Sequence, residues 1–115
     1  MADDIQRGGK AVRRGSTPDL IVDIPGVDLS DKRVYLTIIT EGMEIEKTNE
    51  DFHIATDEDG SSIAVRLSQK ETLGMKTGHA TCQIRYIGED GKAEVSTMAS
   101  FRVKPVLKEG VIAYE

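Results

Sequence analysis

From Thr17 onward, apolar and polar residues alternate with a period of two, and this constrains the fold more than any other feature. In Leu20-Ile21-Val22-Asp23-Ile24, residues Leu20, Val22 and Ile24 share one face. A period of two is the repeat of a strand, because successive side chains leave opposite faces of a sheet. Pro25-Gly26 ends this strand, since proline has no amide hydrogen to give to a ladder. Residues 27–31 read as a link that tucks Leu29 inward. Arg33–Thr40 comes next, with Val34, Leu36 and Ile38 on one face and Tyr35, Thr37 and Ile39 on the other. Met43–Thr48 and Phe52-His53-Ile54 are shorter strands, and residues 62–67 align Ile63, Val65 and Leu67. Residues 79–87 place Ala80, Cys82, Ile84 and Tyr86 together. The run 93–103 returns antiparallel, with Val95, Ala99, Phe101 and Val103 as its expected inner face.

The punctuation agrees with this pattern. Glu41-Gly42, Asp57-Glu58-Asp59-Gly60 and Gly88-Glu89-Asp90-Gly91 are polar turns, and Asp-Gly between alternating runs is a strong hairpin signal. Ser68 followed three residues later by Glu71 fits a capping box, which predicts one short helical turn near residues 69–74. Short strands with one polar face are the antiparallel signature. The expected fold is therefore all-β: an antiparallel β-sandwich, immunoglobulin-like in general architecture. With one Cys and no Trp, it lacks the inter-sheet disulfide and buried Trp of an antibody domain. A length of 115 residues suits a single domain.

Charge divides the chain. Residues 1–15 carry Arg7, Lys10, Arg13 and Arg14 against Asp3 and Asp4. That balance of +2 leaves −7 for the remainder of a chain whose net charge is −5. The segment is also rich in glycine. It reads as a flexible basic arm, by default a mobile terminus and in the sharper reading one that docks on a neighbouring subunit or on nucleic acid, followed by a sandwich domain at 16–106 and a mildly apolar tail at 107–115. The arm has no apolar core of the kind a secretory leader needs. No run approaches the roughly 20 apolar residues of a membrane span, so no membrane partner is expected. The acidic total argues against a dedicated nucleic-acid binder.

Few residues are candidates for chemistry. His53 and His79 have no Cys or His at ligand spacing, and read as strand residues facing solvent. Cys82 alternates with Ala80 and Ile84, which marks it as a small core residue rather than a nucleophile. Asp57-x-Asp59-Gly60 has the start of a calcium loop, but its glycine comes two places early and Ser68 stands where the closing glutamate belongs. A weak metal site at Asp57 and Asp59, with Glu58, is set against a solvated hairpin tip, which is the default. No catalytic set and no cofactor are expected, and the chain reads as a non-enzyme.

The order of motifs carries a resemblance. Gly15-Ser16-Thr17-Pro18-Asp19-Leu20-Ile21-Val22-Asp23-Ile24-Pro25 is similar to the opening of a group of small phage proteins. Val27-Asp28-Leu29-Ser30-Asp31 and Val34-Tyr35-Leu36-Thr37-Ile38 follow in the same order. Ser68-Gln69-Lys70-Glu71-Thr72-Leu73 looks like that group's helical turn, although Lys70 stands where the group often has Glu. Arg85, Asp90-Gly91 and Leu107-Lys108-Glu109-Gly110-Val111-Ile112 resemble its last hairpin and tail. The likeness covers roughly residues 15–112. The group comprises small β-sandwich structural proteins of tailed phages and prophages of Gram-positive hosts, similar to the N-terminal domain of upper baseplate proteins. The resemblance implies a non-enzymatic virion structural protein of the tail or baseplate, found in the virion and in the host cytoplasm during assembly. It implies contacts with other virion proteins or with further copies of itself. Pro18, Asp23, Gln69, Thr72 and Gly110 are matched positions with structural roles. The alternative is a cell-surface or carbohydrate-binding sandwich module, which the scarcity of aromatics disfavours.

Overall fold

The computed structural model describes residues 11–96 and 98–114. Among these, the strands are β1 (Ala11–Arg13), β2 (Asp19–Pro25), β3 (Arg33–Thr40), β4 (Met43–Thr48), β5 (Phe52–Asp57), β6 (Gly60–Arg66), β7 (Gly78–Ile87), β8 (Ala93–Val95) and β9 (Ala99–Lys104). A 3-10 turn, Asn49–Asp51, joins β4 to β5, and one short helix, α1 (Gln69–Gly74), follows β6. The larger sheet has the order β1-β9-β7-β3-β4, with β8 also on β7, and the smaller is β2-β6-β5. Every pairing is antiparallel except that of β1 with β9. The chain is thus an all-β sandwich with the immunoglobulin-like habit of passing from one sheet to the other between consecutive strands, as β2 does into β3.

The alternation explains the core. Leu20, Val22 and Ile24 of β2 and Ile63 and Val65 of β6 face Val34, Leu36 and Ile38 of β3 and Ala80, Cys82 and Ile84 of β7, all of them buried. Phe101 and Val103 of β9 complete the layer. Each buried aliphatic side chain contributes about 1.5–3 kcal/mol. Leu29 is fully buried, as expected. Its loop is held by Ser61, whose Oγ accepts from the Leu29 N–H at 2.9 Å and donates to the Val27 carbonyl at 2.7 Å. The capping box also forms: Ser68 Oγ accepts from the Glu71 N–H at 3.0 Å, and Glu71 Oε1 accepts from the Ser68 N–H at 2.8 Å.

Two expectations need correction. The run 93–103 is not one strand, because a one-residue step separates β8 from β9. Arg85 pairs with Val95, whereas Cys82 pairs with Ala99, so one extra residue lies on the returning side. Such a bulge reverses which face the side chains take. Val95 is therefore 57% exposed instead of lying in the core with Phe101. Ser96 fixes the step, its Oγ accepting from the Ile84 N–H at 3.0 Å and its N–H donating to the Ile84 carbonyl at 2.8 Å.

The second correction is the start of the domain. Residues 11–13 are not part of an arm but form β1, with Val12 paired to Val103 and only 1% exposed. Burial of Val12 and parallel ladder bonds to β9 hold this segment on the sheet. Among the described residues the sandwich thus already includes Ala11–Arg13, ahead of the expected start at residue 16.

Candidate interaction site

Of the four proposed docking residues, Arg13 and Arg14 are described, while Arg7 and Lys10 lie outside the described residues. Arg13 is exposed, and its guanidinium donates to the Pro105 carbonyl at 2.8 Å. Arg14 is turned inward. Its Nε donates to the Met75 carbonyl at 2.8 Å and an Nη to the Leu73 carbonyl at 2.5 Å. Both outer nitrogens also hold the Glu109 carboxylate, at 2.5 and 3.0 Å. Next to it, the Gly15 N–H donates to Thr72 Oγ1, which in turn donates to the Ser16 carbonyl. The planar five-donor fork of arginine suits this junction, where the end of α1, the start of the sandwich and the tail meet. The two described arginines thus stitch the domain together.

Residues 106–114 follow the last strand and pass back across α1. The side-chain amide of Gln69 holds both backbone groups of Ile112: its Oε1 accepts from the Ile112 N–H at 2.8 Å, and its Nε2 donates to the Ile112 carbonyl at 3.0 Å. The apolar side chains here face solvent. Leu107 is 104% exposed, Val111 63%, Ile112 76% and Tyr114 106%. Scattered single exposures are ordinary, whereas four exposed apolar side chains within eight residues make this segment the candidate interaction surface. Glu109 is held below its usual carboxylate range chiefly by the Arg14 hydrogen bond, which desolvation opposes and the attraction of the Arg14 charge reinforces. For Glu71, burial by itself would raise the pKa. The hydrogen bonds from Lys47 and Ser68 outweigh it, and the net shift is downward.

The remaining candidates do not converge. His53 lies on the smaller sheet, opposite Ala64, and His79 on the larger, opposite Arg102. Cys82 is buried, and that burial pushes its thiol up to about 12, so it stays protonated and inert. Asp57 Oδ1 accepts from the Asp59 N–H at 2.8 Å, which closes the hairpin tip. Among the described residues, no group of three His, Cys, Asp or Glu side chains is placed to hold a metal ion. A shallow surface on the small sheet runs past Asp23, Ala55, Asp57 and Ser62. A second lies on the large sheet beside Tyr35, Glu46 and Arg85. No helix among the described residues is long and apolar enough to cross a membrane.

Sequence reasoning pointed to both ends of the chain but missed how they are joined. The resemblance marked Gln69 as structural, but the residue pattern gave no sign of its partner, which lies 43 residues away. The anchoring of Arg14 was equally silent, since Leu73, Met75 and Glu109 approach only once the sandwich has closed.

The fold and its free surfaces place the chain among β-sandwich modules. No protein-family model matches it, and no curated protein sequence matches it. Among solved structures, 208 chains match. One belongs to a 1.5-MDa bacterial ice-binding adhesin, in a study of that adhesin's retention at the host cell surface. It is similar at a TM-score of 0.56 and 13% sequence identity, over 89% of this chain and 31% of that one. This chain thus spans about a third of the adhesin chain, and a likeness at that identity is one of fold.

Proposed function

We propose that the chain is a non-enzymatic structural module of a tailed-phage or prophage virion, acting in the tail or baseplate through protein–protein contacts. The observation that supports contact-based action is the apolar segment at 107–114. It is pinned by its backbone to Gln69 while Leu107, Val111, Ile112 and Tyr114 face outward. Exposing that much apolar surface costs free energy unless a partner covers it. The virion setting rests on the ordered resemblance of residues 15–112 to phage β-sandwich proteins.

The test is to delete the gene from a producing phage or induced prophage and examine the particles. Tails or baseplates that are missing or malformed, together with the chain detected in wild-type particles, is the expected result. Normal particles that lack the chain in the wild type would overturn the reading. A carbohydrate-binding module is the second reading, and Tyr35 is where it would be tested. This residue lies on the outer face of the larger sheet between Thr48 and Arg85. Glycan binding lost in Tyr35→Ala, with particle assembly unaffected, would favour it.

A further inference from the structure

Side-chain packing along the chain past β9 stops at Val106, which is half-buried beside Gly15. From 107 to 114 every residue is exposed. The segment is nonetheless held at two points. Arg14 grips the Glu109 carboxylate at 2.5 and 3.0 Å, and the Gln69 amide grips both backbone groups of Ile112 at 2.8 and 3.0 Å. Gly110 bends the chain between them, with φ at +118°.

Both latches are polar and both face water. The Glu109 side chain is 62% exposed, and the two Gln69 bonds lie at the surface. An exposed hydrogen bond is exchanged for one to water at small net cost, and an exposed ion pair contributes little. The apolar burial that holds the strands is missing here. Leu107 and Tyr114 are fully exposed, and Val111 edges a shallow groove beside Leu67 yet stays mostly in solvent. Segments held in this way open locally, at far lower cost than the core. The gripping residues, in contrast, keep their places without the tail. Arg14 still donates to the Leu73 and Met75 carbonyls, and Gln69 is the first residue of α1, whose turn is fixed by the capping box of Ser68 and Glu71.

We propose that residues 107–114 form a two-latch strap that lifts off α1 as a unit while the sandwich stays folded. This names how the contact segment of the assembly reading is regulated, and it rests on that reading for its use. Latched, the apolar side chains are held at a fixed place beside α1. Lifted, the same side chains ride on a free length of chain. Because the latches bind a carboxylate and a backbone, and no apolar side chain, a partner takes the segment without drawing anything out of the core.

Amide exchange resolved residue by residue by NMR, on the isolated full chain, tests this. The Leu36 amide reports on the sandwich, since β3 lies between β7 and β4. Corrected for intrinsic rates, the Ile112 amide is expected to exchange at least about a hundredfold faster than that of Leu36, through local opening. Gln69→Ala is expected to speed Ile112 at least about threefold and to leave Leu36 unchanged. Glu109→Ala removes the other latch and is expected to speed Ile112 about twofold or more, because the strap lifts as one unit. Ile112 as protected as Leu36, Ile112 exchange unmoved by either substitution, or Leu36 sped as much as Ile112 would each overturn the strap. A chain whose Ile112 matches Leu36 but which is found in particles would overturn the strap and leave the virion reading intact. A lifting strap on a chain absent from particles would do the reverse.

Discussion

Replacing Arg14 by Ala should destabilise the domain through two carbonyls rather than through its ion pair. The Arg14 side chain is only 17% exposed, and it is the donor to the Leu73 and Met75 carbonyls at the end of α1. Removing a charged donor from partly buried acceptors costs about 1–3 kcal/mol for each. Because these groups are half covered rather than fully buried, about 2–3 kcal/mol is expected for the pair. Glu109 adds little, since its side chain is 62% exposed and water replaces the partner. For a domain of this size that loss lowers Tm by about 10–15 °C. Arg14→Lys should recover less than half, because one ammonium cannot reproduce a planar fork. Glu109→Gln should leave Tm close to wild type. Thermal melts followed by circular dichroism measure all three. An Arg14→Ala melt within about 3 °C of wild type, or an equal loss in Glu109→Gln, would refute the reasoning.

Three further outcomes follow from the geometry. The Cys82 thiol is raised from 9.0 to about 12 by burial, so the folded state favours the neutral thiol. Its contribution to stability is complete below pH 9 and is lost as pH rises toward 12, so urea midpoints should fall across that window in wild type and less in Cys82→Ala. Gly60→Ala should cost about 2–4 kcal/mol by urea titration, because a Cβ there would meet the Gly26 nitrogen and the Ile24 carbonyl at 2.6 Å with φ at +140°. Val95→Lys should change stability by less than about 0.5 kcal/mol whereas Phe101→Ala should cost about 3–5, and comparable losses in the two would contradict the register step at Ser96.

The strands were legible because the period-two signal comes from the core itself. Leu20, Val22 and Ile24 had to share one face of β2, and Val34, Leu36 and Ile38 one face of β3, and the two faces meet across the core. Val95 escaped because a single added residue reverses the face of everything before it, and no composition marks where that residue sits. β1 escaped for a different reason. A three-residue strand with one apolar side chain has no period to read, and its partner strand is some 90 residues away. Of the interaction site, the apolar character of the tail was visible. The grip of Gln69 and the fork of Arg14 were not, since both depend on approaches made only in the closed sandwich. Of the basic residues that drew attention as a docking arm, Arg14 holds Glu109 of the tail and Arg13 the Pro105 carbonyl just before it.

The central claim is that the exposed C-terminal segment is a contact surface used in a particle. Limited trypsin digestion tests it directly, because Lys108 lies exposed in that segment. In the isolated chain at low concentration, cleavage after Lys108 should be among the first events. In purified particles the same bond should resist trypsin under conditions that cut the free chain. Cleavage after Lys108 at equal rates in particle and free chain, or particles that do not contain the chain, would contradict the account.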